Sequence, residues 1–196
     1  DFSMVAAGTI REDLLKGNKG ILTVPDAFRV MSLGEGKDNI PGYPLATIYI
    51  TAKELKKLCE VLYIARQDGG DSYLFTSGLK IYVNPDKMML KKVQKVELNG
   101  KEIDLSKKNE EMICLAANGY LLSFIGRIKK MTYGLVKVVP KDKDGNPVTD
   151  MTNQYCDIDP GKEGIQEAKE WIALIEYMKS FPTGRSKLPV VPDTYK

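Results

Sequence analysis

Histidine is absent from all 196 residues of the sequence. That excludes a Ser-His-Asp triad, a Cys-His dyad, a His-liganded zinc and an imidazole-built dinuclear phosphatase centre within this chain. No apolar run reaches about 18 residues, so no segment can cross a bilayer as a helix. Neither sign of charge dominates. The 29 basic and 26 acidic side chains leave +3, too little to argue for a nucleic-acid or membrane-surface partner. Cysteine is sparse: Cys59, Cys114 and Cys156 are odd in number and form no C-x-x-C. Cys59 falls in a helical pattern and Cys114 in the apolar stretch Met112-Ile113-Cys114-Leu115, so both read as small core side chains. One disulfide with a spare thiol stays open.

What is present is enough for a core. Hydrophobic residues make up 43% and charged residues 28% of the chain, a globular rather than disordered balance. The chain opens on Asp1-Phe2-Ser3-Met4-Val5, straight into a buried-strand pattern, which leads us to expect a piece of a longer polypeptide or a processed one. Residues 2–7 predict a strand, and Lys16–Gly20 a polar loop. Thr23-Val24-Pro25-Asp26 starts a helix running to about Met31, and the stretch stops at Gly34-Glu35-Gly36. Leu45–Ile50 predicts a mostly buried strand. Thr51-Ala52-Lys53-Glu54 is a capping box opening a helix with Leu55, Leu58, Cys59 and Leu62 on one face.

An acidic loop, Asp68–Asp71, leads to strands at Ser72–Thr76 and Leu79–Val83. Val93–Leu98, the turn Asn99-Gly100 and Lys101–Asp104 predict a hairpin, because Asn-Gly suits a type I′ turn. Glu111–Ala116 predicts another buried strand. A helical stripe of Leu121, Phe124, Ile125 and Ile128 follows, with basic residues at its end. We further expect a strand at Gly134–Val139, a turn at Lys141–Pro147, and a last helix from Asp159 with Ile165, Ala168, Trp171, Ile172 and Ile175 inward. The tail from Pro182 has no periodicity and predicts an extended arm. The expected fold class is α+β: a single mixed domain over residues 1–181 and a proline-containing extended C-terminal tail over 182–196.

Several residues are candidates for a site. Arg11 follows a turn at the end of a buried strand, where it can grip phosphate or carboxylate bidentately or pair on the surface with Glu12 or Asp13. Ser32-Leu33-Gly34 begins a Gly-rich loop that can bring backbone close to a ligand, or simply ends a helix. Asn118-Gly119-Tyr120 lies between a core strand and a helix; it can present an aromatic face or serve as core and cap. Asp142-Lys143-Asp144-Gly145-Asn146 lacks the glycine and glutamate of a calcium loop and reads as a plain turn. The Lys-rich stretch Lys87–Lys95 interleaves with core residues and reads as a solvated strand face rather than an RNA site.

In order, Ala6-Ala7-Gly8-Thr9-Ile10-Arg11, Gly20-Ile21-Leu22-Thr23-Val24-Pro25-Asp26, Ser32-Leu33-Gly34, Thr51-Ala52-Lys53-Glu54-Leu55 and Thr76-Ser77-Gly78-Leu79 resemble the C-terminal domain of the 5′-nucleotidase family. The likeness covers roughly the first 125 residues. It implies a fold like that domain and a role as the nucleotide-binding part of a phosphoric ester hydrolase. Hydrolysis would fall to a separate N-terminal metallophosphatase domain, in cis or in trans, holding two divalent metal ions. This chain would itself have no catalytic residue, no metal site and no activity alone. The resemblance also implies a periplasmic, cell-surface or secreted location.

Residue by residue, it makes Gly8, Arg11, Leu33, Gly34, Asn118 and Tyr120 the substrate-binding candidates. Arg11 matches a phosphate- or ribose-contacting arginine and Tyr120 a base-stacking aromatic. Leu33 stands where the family usually has phenylalanine, and Ala6 where it has asparagine. The family's Gly-Gly-Asp-Gly segment is replaced by Ser123-Phe124-Ile125-Gly126. Those departures motivate the alternative: a non-catalytic binding or scaffolding module descended from the same domain.

Overall fold

The computed structural model describes every residue except 16, 71, 72, 107, 108, 132, 133, 135 and 196, and only the backbone of 18, 68 and 126–131. Lys16, Asp71, Ser72 and the side chain of Ile128, all part of expected features, lie outside the described set, as do the basic side chains after it. The fold mixes helices and sheets, as the α+β reading expects. It divides into two compact units, each built from two separate stretches: Asp1–Thr9 with Leu45–Cys156, and Ile10–Pro44 with Asp157–Lys196.

In the first unit a four-stranded sheet is ordered β2-β7-β1-β3, with β1 at Phe2–Ala6, β2 at Leu45–Thr51, β3 at Leu74–Ser77 and β7 at Met112–Asn118. β1 pairs parallel with β7 and antiparallel with β3, while β2 runs antiparallel to β7. Alternation explains the faces. Ala46, Ile48 and Ile50 are fully buried, whereas Leu45, Thr47 and Tyr49 are half-buried on the other side. Helix α2, Ala52–Asp68, buries Leu55, Leu58, Cys59 and Leu62 in the same core as Phe2, Met4 and Leu115. Each such side chain contributes about 1.5–3 kcal/mol when fully buried. A second sheet is ordered β4-β5-β6, from Leu79–Val83, Val93–Leu98 and Lys101–Glu102. Its tight turn has Asn99 at φ 50 and Gly100 at φ 82, as type I′ requires. Helix α3, Gly119–Met131, follows β7 directly.

The capping box of α2 reaches beyond its own helix. Thr51 Oγ1 accepts from the Glu54 amide, and Glu54 Oε2 accepts from the Thr51 amide at 3.0 Å. The same carboxylate takes the Val139 amide at 3.0 Å and the Lys141 ammonium at 2.6 Å. This fits the absence of the expected strand among the described residues of 134–139. Val136 and Val138 are buried and Lys137 is exposed, as in a strand, but the backbone finds side-chain partners: Glu54 for the Val139 N–H and Lys57 Nζ for the Lys137 carbonyl.

The second unit packs α1, Val24–Val30, with α4, Glu170–Lys179. Phe28 and Trp171 meet edge to face at 5.8 Å. α1 begins as expected, with Asp26 accepting from both the amide and the hydroxyl of Thr23. The last helix does not begin at Asp159. The Asp157 carboxylate instead accepts the amides of Asp159 and Gln166, Asp157 bridges to Glu167, and Gly164 sits at φ +80. Closed loop structure replaces about the first three helical turns, and Ile165 is 44% exposed rather than inward. The tail holds more local structure than an extended arm: Thr183 bridges to Pro189, and a 3-10 turn spans Asp193–Tyr195.

Glu54 makes a pH-dependent contribution. Its burial favours the neutral acid, but the Lys141 ammonium and the donors from Thr51 and Val139 outweigh it and hold the carboxyl below its ordinary value of 4.5. A depressed folded pKa stabilises the native state above the unfolded value, and that stability disappears as pH falls through the folded one. Thermal melts from pH 7 to pH 3 are therefore expected to show a loss beginning below about pH 4.5 that is smaller in Glu54→Gln. At pH 7 the substitution is expected to cost about 1–3 kcal/mol. A variant with an unchanged profile would separate Glu54 from that loss.

Candidate functional site

The six candidates divide between the units: Gly8, Asn118 and Tyr120 in the first, Arg11, Leu33 and Gly34 in the second. In the first unit, β1 and β7 run side by side in the same direction, with Phe2 level with Leu115 and Ser3 with Ala116. Their carboxyl ends therefore emerge together. β1 passes into a 3-10 turn, Ala7–Thr9, which contains Gly8 and is tied back by Thr9 Oγ1 donating to the Ala6 carbonyl at 2.8 Å. β7 passes into α3, whose first N–H groups make that end favourable for negative charge.

Asn118 is fully buried and works as the cap of α3, its Oδ1 accepting from the Leu121 amide at 2.7 Å. Gly119 is required by packing: a Cβ there would sit 2.8 Å from Tyr155 Cε1. The next residue, Tyr120, is 47% exposed, with its ring edge-on to Phe124 at 4.8 Å. A partly exposed aromatic ring held edge-on by a neighbour can stack on a planar ligand.

In the second unit the Arg11 amide donates to the Val30 carbonyl at 2.8 Å, anchoring the exposed arginine at the end of α1. Glu12, one of its expected surface partners, approaches Arg29 at 3.5 Å. Leu33 is half-buried, and Gly34 has φ +79 with the Tyr43 ring where a Cβ would project, 2.1 Å from Cδ1. The Gly34 carbonyl accepts from the Gly42 amide at 2.9 Å, and Glu35 bridges to Pro41, so Leu33-Gly34 enters a closed loop.

What holds that loop is a cluster that the sequence reading did not identify. Lys169 is 1% exposed, and its ammonium donates to Glu167 Oε2 at 2.5 Å and Asp38 Oδ1 at 2.7 Å. Glu167 Oε1 takes the Lys37 amide at 2.8 Å, and Asp38 Oδ1 takes the Ile40 amide at 2.9 Å. Gly36 makes room, since a Cβ there would stand 1.6 Å from Glu167 Oε2. Trp171 Nε1 donates to the Pro41 carbonyl at 3.0 Å. Burial of the Asp38 carboxyl opposes its charge, but Lys169 and the Ile40 amide hold it below the ordinary range. The one available signal was the spacing of Gly34, Gly36 and Gly42; nothing in a Glu-Ala-Lys run announces a buried cation.

Nucleophilic and metal chemistry find little support. Among the described residues no group of three or more His, Cys, Asp or Glu side chains is placed to hold a metal. The three cysteines are free thiols, and burial pushes those of Cys59 and Cys156 upward. The Asp142 carboxylate accepts the amides of Asp144 and Asn146, a self-contained turn.

The profile of the 5′-nucleotidase C-terminal domain matches residues 1–110, a span containing Gly8, Arg11, Leu33 and Gly34 but not Asn118 or Tyr120. Similar solved structures include the 5′-nucleotidase precursor from Thermus thermophilus (17% identity, TM-score 0.48, 74% of this chain and 26% of that one). The NAD nucleotidase of Haemophilus influenzae is similar at 17% identity and TM-score 0.43, over 91% of this chain and 26% of that one. The sulfate thiohydrolase SoxB of Thermus thermophilus gives 19% identity and TM-score 0.37, over 77% of this chain and 22% of that one. The chain thus spans about a quarter of the length of these proteins. No curated protein sequence matches it.

Replacing Lys169 by Met would leave two carboxylates facing a buried gap. We expect a loss of about 3–5 kcal/mol in urea unfolding. Adding Glu167→Gln and Asp38→Asn to the same variant is expected to recover part of it. A loss below about 1 kcal/mol would mean that the cluster behaves like a solvated surface pair.

Proposed function

The chain belongs to the 5′-nucleotidase C-terminal domain family, and from that premise we propose that it is the nucleotide-binding domain of a 5′-nucleotidase-like phosphoric ester hydrolase. Bond cleavage would be performed by a separate N-terminal metallophosphatase domain with two divalent metal ions. Those ions would activate water and offset charge on the phosphoryl oxygens. The lack of histidine fits a division of labour in which this part binds and the other part hydrolyses. The proposed location is periplasmic, cell-surface or secreted, and the proposed working domain is residues 1–181 with 182–196 as its tail.

The exposed, braced ring of Tyr120 supports this reading most directly. In the first unit it is the proposed stacking surface for the base, beside the positive end of α3 and the Gly8 turn. In the second unit Arg11 is the proposed phosphate contact, and Leu33-Gly34 a proposed apolar and backbone contact on a loop fixed by Lys169. Leucine can pack on a ring face, but it supplies less than the roughly 1–3 kcal/mol of an aromatic partner. The half-buried Leu33, and an Asn118 amide oxygen already used as a cap, favour a second reading: a non-catalytic binding module derived from the same domain.

Calorimetric titration with adenosine and AMP tests the proposal and separates its two contacts. Tyr120→Ala is expected to weaken both ligands by about 1–3 kcal/mol, the value of one stacked base. Arg11→Ala is expected to weaken AMP alone, by about 1.5–3 kcal/mol for a charge-assisted contact. Absence of binding by either ligand up to millimolar concentration would overturn the nucleotide reading and leave the binding-module one.

A further inference from the structure

A groove of about 350 Å³, none of whose lining residues is one of the six candidates, opens in the first unit between the end of α2 and the strands β3 and β4. Leu62, Tyr63 and Arg66 form one side, Leu74 and Thr76 line β3, and Ile81 and Val83 line β4. Both strands are edges of their sheets.

The ladder pattern fixes which backbone groups face the groove. The Ala7 amide donates to the Tyr73 carbonyl, and Ala6 is level with Leu74, so Ala7–Tyr73 is a hydrogen-bonded pair. Such pairs alternate in an antiparallel ladder. The N–H and C=O groups of Leu74 and Thr76 therefore point away from β1. The same count applies to β4. The Asn99 amide donates to the Gly78 carbonyl with Leu79 level with Leu98, which turns the groups of Ile81 outward. Beyond the irregularity at Tyr82, the Asn84 amide donates to the Lys92 carbonyl, which turns those of Val83 outward too. The outward-facing Leu74, Thr76, Ile81 and Val83 line the groove, together with Tyr73 and Phe75, whose backbone groups face β1.

The side chains add a signature. Arg66 makes no hydrogen bond or ion pair among the described residues, and the Tyr63 and Tyr73 hydroxyls are likewise unpaired there. Phe75, edge-on to Tyr73 at 4.8 Å, is 47% exposed, and Val83 is 37% exposed. Open strand edges usually carry inward charges, prolines or a covering element that prevents pairing. Here β4 carries the exposed Lys80, while the groove between the two edges is lined by apolar surface and by Arg66, which has no partner among the described residues.

We propose that this groove is a strand-addition site for a partner polypeptide. Its occupant is an extended segment with apolar residues on alternate positions and one carboxylate placed for Arg66. Main-chain hydrogen bonds to the open edges supply the attachment, while the apolar floor and the guanidinium select the sequence. This proposal is independent of the nucleotide reading.

The test is amide NMR of the 196-residue chain titrated with a blocked six-residue peptide of alternating valine and threonine carrying one central glutamate. Saturable shifts centred on the amides of Leu74, Thr76, Ile81 and Val83, below about 1 mM, are the expected result. A copy with alternate backbone nitrogens methylated is expected to be silent. Arg66→Gln is expected to weaken the glutamate peptide about tenfold, in line with one charge-assisted hydrogen bond, and to leave the glutamine counterpart unchanged. Arg66 is exposed, so the variant should keep its fold, which the unaffected amides would report. Equal binding by the methylated peptide, shifts induced by benzoate but not by the peptide, or concentration-dependent self-association through the same amides would each overturn the proposal.

Discussion

The pairing on which the first unit depends is the one that places β1 between β7 and β3. Five residues near the start of the chain supply an interior strand, and two of them, Phe2 and Met4, are each 4% exposed in the shared core. Its partner β7 comes more than a hundred residues later, yet the parallel pairing lines up the exits of both strands. The Gly8 turn and the α3 cap therefore share one end of the sheet. Here a second link comes from Asp1, whose carbonyl accepts from Asn99 and whose carboxylate accepts the Cys114 amide.

In the second unit the organising element is electrostatic rather than apolar. One ammonium shared by two carboxylates, each carboxylate also accepting a backbone N–H, is an arrangement that compensates buried charge with geometry. Such a cluster contributes less net stability than its Coulomb attraction suggests, because desolvation offsets most of it. It ties the loop from Gly34 to Gly42 to the Glu167-Ala168-Lys169 segment through Lys37 and Asp38, and Leu33 and Gly34 stand at the loop's entrance.

Much of this was legible beforehand where a local rule suffices. The capping box at Thr51, the apolar spacing of Leu55, Leu58, Cys59 and Leu62, the alternation in Leu45–Ile50 and the Asn99-Gly100 turn each specify their element within a few residues. The misread segments are those in which a distant group replaces the expected partner. Val136 and Val138 alternate like a strand, but the nearby backbone bonds to the carboxylate of Glu54 and the ammonium of Lys57. Asp159-Pro160 resembles a helix start, but Asp157 and Gly164 close a turn first. The ordered motifs pointed to the family correctly. They did not reveal Lys169 and Glu167, because a charge pattern looks alike whether it faces water or a buried counter-charge. The groove beside β3 and β4 was equally hidden, since an edge strand is defined by what does not pair with it.

The interleaved layout has a consequence for how the chain assembles. The two stretches of the second unit are separated in sequence by the whole of Leu45–Cys156. Bringing such distant stretches together from a loose coil is entropically costly. Once the first unit has formed, however, the Cys156 amide is bonded to the Leu45 carbonyl, and Ala46 is bridged to Tyr155. The neighbours Pro44 and Asp157 are then delivered side by side, and the remaining search is short. The layout thus sets a hierarchy in time: the sheet-bearing part acts as a clasp, and the part built around α1 and α4 can close quickly only after that clasp has shut.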